Sequence, residues 1–157
     1  MYSNFQMSTV VSSAKEVINV KDRLLKSHTL NAVFSMPDQL FYPVGVVTCI
    51  LVFTAHIPHP KNKEVFFGYL KDDGHILLKH RGRLDDGSWK SKKEKMLDLF
   101  VNNKTELNLS VTQKVSAEDE WCAEAYMETD YSKLTEQDFE KIIKSYIAYE
   151  FVNNNEN

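Results

Sequence analysis

The segment Val46-Val47-Thr48-Cys49-Ile50-Leu51-Val52-Phe53 runs without a charge or a breaker and is rich in β-branched and aromatic residues. Such a run reads as a strand buried on both faces, and a strand of that kind needs a neighbour on each side. Just upstream, Pro37 and the pair Pro43/Gly45 bracket an aromatic loop, Leu40-Phe41-Tyr42, that turns the chain between two strands. The remainder of the chain is read as flanking this sheet core or appended to it.

Upstream, Gln6 to Ser12 is expected to form a short strand or the ragged end of one. Ser13 with Glu16 three residues on makes a capping-box pattern, and Val17, Ile18, Leu24 and Leu25 form the apolar stripe of the helix that follows. Leu30–Met36 is the next strand. Strand, helix and strand at this spacing predict a parallel βαβ unit. The link from Met36 to Val46 is too short for a helical crossover, so the Val46–Phe53 strand is expected to return antiparallel.

Pro58 and Pro60 end that strand. Residues 64–70 and 75–79 flank Asp72-Asp73-Gly74 and are expected to pair as a hairpin. Asp85-Asp86-Gly87 is a second turn. Ser88 is expected to cap a helix running to about Val101, with Trp89, Met96, Leu99 and Phe100 as its apolar side and Asn102-Asn103 as a left-handed stop. Residues 104–133 show no sustained period, apart from a short helix near Trp121–Met127. Thr135 and Asp138 form another capping box, with Leu134 and Phe139 at staple positions. Phe139, Ile142, Ile143, Tyr146 and Ile147 are expected to line a last helix.

A length of 157 residues suits one domain, or one core with an appendage. No apolar run approaches the roughly 20 residues of a membrane span. The N-terminal residues carry no basic or apolar leader pattern, so a cytoplasmic location is expected. Cys49 and Cys122 lie far apart without CxxC spacing, and Cys49 reads as a small core residue.

Charge is unevenly distributed. Residues 61–95 carry ten Lys/Arg against six Asp/Glu, whereas residues 116–157 carry three against eleven. A basic middle can meet a polyanion and an acidic end segment would not. Lys79-His80-Arg81-Gly82-Arg83 combines phosphate-binding side chains with a glycine that permits close approach. With Lys90, Lys92 and Lys93 it forms a candidate nucleic-acid surface, the alternative being an ordinary solvated basic face. Elsewhere the chemistry is sparse. The chain has no GxGxxG, Walker A, GxSxG or HExxH motif. His56 and His59 sit in a proline-flanked loop without a third ligand, and Glu118-Asp119-Glu120 reads as a solvated charge run. Trp121 and Tyr126 are expected to pack rather than to stack on a base.

The stretch from Leu24 to Phe53 closely resembles N-6 adenine DNA methylases, the modification subunits of type I restriction–modification systems. The pattern is a helix, a strand ending in Met36-Pro37, an aromatic loop with Phe41, and a strand containing Thr48-Cys49-Ile50-Leu51-Val52. Phe67-Gly68-Tyr69, Lys71-Asp72-Asp73-Gly74, Lys79–Arg83 and Glu118–Tyr126 are similar to the segments that follow in one branch. The resemblance runs from about Met7 to Val152.

The resemblance implies an α/β fold: the C-terminal part of a Rossmann-like methyltransferase sheet, followed by a β-hairpin and helices. Residues 1–60 would be the C-terminal half of the core and residues 61–157 the extension. They would supply the family's strands 5, 6 and 7, with strand 7 antiparallel and inserted between the other two. Met1–Gln6 is polar where strand 5 should be apolar. Family members bind S-adenosylmethionine through a glycine motif after their first strand and hold a flipped adenine with Asn-Pro-Pro-Tyr/Phe after their fourth. This chain has no Asn-Pro-Pro, and its first glycine is Gly45. The resemblance therefore assigns it no catalytic, cofactor-binding or metal-binding residue, and no stand-alone catalysis. Phe41 and Tyr42, away from the family's cofactor residues, are given packing roles.

It also implies partners: DNA, an N-terminal methylase half, a specificity or restriction subunit, or a second copy of the chain. A three-stranded remnant would leave an open edge on the strand-5 side. Three readings stay open: a non-catalytic part of an adenine methyltransferase, a DNA- or protein-binding module derived from one, and a decayed fragment that folds without a function.

Overall fold

A computed structural model describes residues 2–128, 135–137, 139–141 and 143–146. In chain order it places β1 (Tyr2–Gln6), α1 (Met7–Val11), α2 (Lys15–Ser27), β2 (Thr29–Ser35), β3 (Thr48–Thr54), β4 (Glu64–Tyr69), β5 (His75–Leu78), β6 (Gly82–Asp85), α3 (Trp89–Val101) and β7 (Ser110–Lys114), with a 3-10 turn at Ala123–Ala125.

Five strands form one mixed sheet in the order β1-β3-β2-β4-β7, and β5 and β6 form a separate hairpin. β3 is antiparallel to both β1 and β2, so those two strands point the same way, with α1 and α2 in the crossover between them. β4 lies parallel to β2, and β7 closes the far side antiparallel to β4. The antiparallel return of the central apolar strand between two parallel neighbours is as expected.

The sheet buries both faces unequally. On one face Leu30, Val33, Cys49, Leu51, Phe53, Val65 and Phe67 meet Val10, Trp121 and Ala123, with Leu24 and Leu25 of α2 packed against them. The register shifts between Leu30 and Ala32. A bulge of this kind lets Leu30 and Val33, three residues apart, reach the same side. On the other face Ala32 and Phe66 meet Met96 and Leu99 of α3, joined by Phe34, Val52 and Phe100. Each fully buried side chain of this size stabilises the fold by about 1.5–3 kcal/mol. α3 reaches the β2/β4 region of this face, so Ile50 and Val52 are only half-buried while Cys49, Leu51 and Phe53 are buried on the opposite side. Burial of β3 on both faces is thus partial.

α3 ends as its asparagines predict. Asn103 adopts φ 48°, the Lys104 N–H donates to Leu99 O at 2.9 Å, and the Asn103 N–H donates to Phe100 O at 3.2 Å. These two bonds form a Schellman closure.

Several expectations are corrected. Gln6–Ser12 is not a strand; the strand is Tyr2–Gln6, and Met7–Val11 is helical. Tyr2–Gln6 has little apolar content because it is an edge whose outward side chains are exposed, and its pairing with β3 supplies the backbone partners. The Ser13/Glu16 capping box does not form. Ala14 occupies the N-cap, and its N–H donates to Ser12 Oγ at 3.1 Å. Ser88 does hold the N-cap of α3, but its hydroxyl donates to Asp86 Oδ1 at 2.6 Å instead of capping the helix.

Residues 64–70 do not pair with 75–79. β4 joins the main sheet, and the hairpin is β5 with β6. Residues 104–133 are not wholly irregular, because β7 lies within them. The segment beyond residue 60 thus adds two strands to the sheet of the first sixty residues. The sheet has five strands rather than three, and among the described residues β1 remains an open edge. Phe139, Ile143 and Tyr146 are exposed rather than lining a packed face; Leu134, Asp138, Ile142 and Ile147 lie outside the described residues. Among the described residues no helix is long and apolar enough to cross a membrane.

Candidate nucleic-acid interface

The basic segment is shaped by carboxylates that its sequence places in turns. Asp72 Oδ1 accepts the Gly74 N–H and Asp73 Oδ1 accepts the His75 N–H, each at 3.2 Å, which bends the chain out of the main sheet into β5. Gly74 holds φ 78°, and an added Cβ there would fall on the Trp89 backbone. Only glycine lets the hairpin base seat against the start of α3. The Asp86 N–H donates back to Gly74 O at 2.9 Å and closes that base.

The six predicted cations divide into three groups. Arg83 and Lys92 are engaged internally: Arg83 Nη2 donates to both oxygens of Asp73 at 2.6 Å, and Lys92 Nζ donates to Asp72 Oδ1. The Lys92 hydrogen bond holds the Asp72 carboxyl below its ordinary range, aided by the Gly74 N–H, and the same bond raises the Lys92 ammonium. Lys79 and Arg81 flank His80 at the hairpin tip, exposed and without an acidic partner among the described residues. Lys90 and Lys93 stand on the first turns of α3, where Lys93 Nζ lies 4.8 Å from the ring centre of Trp89, itself 36 % exposed. Four strand residues separate tip from base, about 13 Å at the usual rise. The structure therefore gives two basic points at opposite ends of a ribbon, not one patch. Ile76, Leu78 and Leu84 are exposed along that ribbon.

A second polar constellation had no sequence signature. Where β2 and β4 end, Ser35 Oγ donates to Glu124 Oε2 and accepts the Ala123 N–H at 2.9 Å. Lys71 Nζ lies 2.9 Å from Glu124 Oε1 and 2.6 Å from Asp38 Oδ1. Burial pulls the Lys71 ammonium down, but the hydrogen bonds to Asp38 and Glu124 outweigh it and leave it raised. Every member is satisfied by another, so the group ties the 3-10 turn to the sheet and offers no activated nucleophile. The nearby thiols are equally quiet. Burial pushes Cys49 up to about 12, with Cys122 and Glu124 adding to it, and burial raises Cys122.

The remaining motifs are structural. Asp119 Oδ2 accepts the Ser116 N–H at 2.6 Å, Asp119 O accepts Lys21 Nζ at 2.9 Å, and Glu120 O accepts the Tyr126 hydroxyl at 2.9 Å. Trp121 is fully buried, and the Tyr126 ring packs 4.7 Å from Phe67, centre to centre, so both pack as expected. His56 gives its backbone N–H to His28 Nδ1 at 3.0 Å, whereas both ring nitrogens of His59 are buried without a partner among the described residues. Among the described residues no three side chains converge as metal ligands. Phe41 and Tyr42, expected to pack, are about half exposed on their loop.

Residues 6–155 match the family model described as N-6 DNA Methylase. Over 145 residues the chain is 35% identical to the type II restriction enzyme and methyltransferase RM.BcgI of Heyndrickxia coagulans, covering 92% of this chain and 23% of that protein. Among solved structures it is similar to the type I restriction–modification methyltransferase subunit of Streptococcus thermophilus, with a TM-score of 0.61 at 12% identity, over 82% of this chain and 26% of that one. A structure of a type I restriction–modification complex gives a TM-score of 0.57 at 16% identity, over 98% of this chain and 35% of that one. The chain thus spans a quarter to a third of the proteins it resembles.

Proposed function

The chain belongs to the N-6 DNA methylase family, and from that membership we propose that it is one part of an S-adenosylmethionine-dependent adenine-N6 DNA methyltransferase of a type I restriction–modification system. In this reading it is a cytoplasmic protein that carries the far side of the methyltransferase sheet. β1, β2 and β3 take the places of strands 5, 6 and 7. Residues 1–60 are the C-terminal half of the core, and the rest is its extension. The observation that carries the reading is β3 running antiparallel between two parallel strands, within a match that spans nearly the whole chain.

The chain's own chemistry supports a supporting role. Its sequence has no Asn-Pro-Pro motif and no glycine before Gly45. The cluster of coupled polar groups at Ser35, Glu124 and Lys71 is mutually satisfied. S-adenosylmethionine and the flipped adenine are then held by another methylase segment, and the chain is inactive by itself. Its partners are that segment, DNA, and the specificity or restriction subunit.

A second reading, a DNA-binding module derived from such a methylase, is favoured by Lys79, Arg81, Lys90 and Lys93, exposed and without an acidic partner among the described residues, with Trp89 beside Lys93. A methyl-transfer assay with S-adenosylmethionine and duplex DNA, run with and without a methylase segment carrying the glycine and Asn-Pro-Pro motifs, tests the first reading. Activity only in the mixture is expected. Activity of the chain alone overturns the supporting role, and inactivity of both with salt-sensitive DNA binding selects the module.

A further inference from the structure

The connection from β3 to β4 is fastened to the end of α2 through two histidines that the candidate interface leaves unused. His28 is the C-cap of α2, and its N–H donates to Leu24 O at 2.7 Å. Its Nδ1 accepts the His56 N–H at 3.0 Å, and the two rings meet edge-on with their centres 5.6 Å apart. His56 holds φ 61°, a left-handed conformation that few residues with a side chain adopt, and its bond to His28 helps keep it there. Three residues on, the His59 N–H donates to Leu25 O at 2.8 Å. Both ring nitrogens of His59 are enclosed by the chain itself. Thr29 Oγ1, donating to Ile57 O at 2.9 Å, adds a tie that does not titrate.

We propose that His28 and His59 form an acid-sensitive latch: as neutral rings they hold the β3–β4 connection against α2, and protonation of either releases it while the sheet stays closed. An imidazole that accepts at Nδ1 carries its proton on Nε2, and a second proton turns Nδ1 into a donor facing the His56 N–H. A second proton on His59 creates a charge among atoms that offer it no acceptor. Burial already holds the His59 ring below the ordinary histidine value of 6.5, and the Lys63 ammonium acts the same way. Nothing nearby compensates. On α2, Asp22 is paired with Lys26 at 2.6 Å, and Arg23, which borders the same hollow as His28, is itself a cation. β2 and β3 carry no charged side chain, the connection carries Lys61 and Lys63, and Glu64 at the start of β4 is exposed. Neither histidine ring has a carboxylate partner among the described residues. With its folded value lowered, His59 leaves the latch whole above 6.5, and the latch is lost as pH falls below it. β3 and β4 keep their strand partners β1, β2 and β7 whether or not the connection is held, so the opening is local.

The test is amide hydrogen exchange of the 157-residue chain, read residue by residue at about pH 7.5 and about pH 5 and corrected for the intrinsic rate at each pH. The amides of His56 and His59 are expected to lose about tenfold or more of their protection at the lower pH, while those of β3 and β4 keep theirs. His28→Asn leaves an acceptor near the Nδ1 position without a titrating ring, and His59→Phe fills the space without buried nitrogens. The double variant is expected to protect positions 56 and 59 equally at both pH values, with circular dichroism to confirm its fold. The comparison of the parent with itself at two pH values stands without any variant. Equal protection of His56 and His59 at both pH values, a loss spread evenly over the sheet, or a loss that persists in the folded double variant each overturns the proposal.

Discussion

Glu124 Oε1 lies 2.9 Å from Lys71 Nζ while its other oxygen takes the Ser35 hydroxyl, so one carboxylate joins the end of β2, the end of β4 and the 3-10 turn that carries Trp121 into the core. Both the lysine and the carboxylate are partly buried. Such a group costs more to break than it gains by forming, because truncating one member strands the others.

Glu124→Ala is therefore expected to destabilise the chain by about 1–3 kcal/mol, by leaving the Ser35 hydroxyl proton without its acceptor and Lys71 with Asp38 alone. Urea titration checks it, with a lower midpoint at an unchanged slope. The raised Lys71 ammonium fixes the sign with pH. Its contribution is complete below the ordinary lysine value of 10.5 and is lost as pH rises through the higher folded value. The difference between parent and Lys71→Ala should shrink only at strongly alkaline pH.

Cys49 gives a second alkaline prediction with a different readout. Burial holds its thiol up at about 12, from an ordinary value of 9.0. Between those values the folded chain keeps a proton that the unfolded chain has lost, so stability falls as pH rises above about 9. The native thiol should resist a disulfide reagent at pH 8 and react only at the rate of unfolding. Cys49→Ala should flatten the fall in stability above pH 9. Rapid labelling of Cys49 in the native chain would show the strand to be open.

What was legible in the sequence follows from where the constraint was local. β3 announced itself through a breaker-free apolar run, and its antiparallel return followed from a link too short for a helix, while its place between two parallel strands came from the family resemblance. β7 did not, because Ser110-Val111-Thr112-Gln113-Lys114 pairs on one side only and needs little apolar content. The partner of β5 was misread because hairpin signals mark a turn without saying which strands meet across it. At the site, the cations were legible from composition, but their carboxylates were not. Asp72 and Asp73 were read only as turn residues, yet they also neutralise Lys92 and Arg83. Glu124 was invisible for a related reason, as its partners Ser35 and Lys71 are 89 and 53 residues away.

The split among the cations predicts distinct phenotypes. Replacing Lys79 and Arg81 together should lower the logarithmic salt slope of DNA binding by about 2, near 0.9 for each lost phosphate contact, and leave thermal stability unchanged. Arg83→Ala should instead loosen the hairpin, because it frees the half-buried Asp73 carboxylate. Fluorescence anisotropy against salt, with a thermal melt of each variant, separates the two. Equal salt slopes in the parent and the Lys79/Arg81 variant would remove the hairpin tip from the interface.

Gly68 sets how closely α3 can lie on the sheet. A Cβ added there would stand 2.6 Å from Phe34 Cδ1 and 2.9 Å from Met96 Sδ, closer than packed carbon and sulfur tolerate. Gly68→Ala must therefore displace Phe34, whose ring packs on Phe66 and Phe100, or push out Met96 of α3. Overpacking of this kind costs about 1–3 kcal/mol. The thioether is the more yielding neighbour, so Met96→Ala in the Gly68→Ala background should recover part of the loss, although Met96→Ala alone destabilises by opening a cavity. A double-mutant cycle read by urea midpoints measures this coupling directly. A cycle in which the two losses simply add would mean that α3 rides clear of Gly68, with the second face of the sheet closed by other contacts.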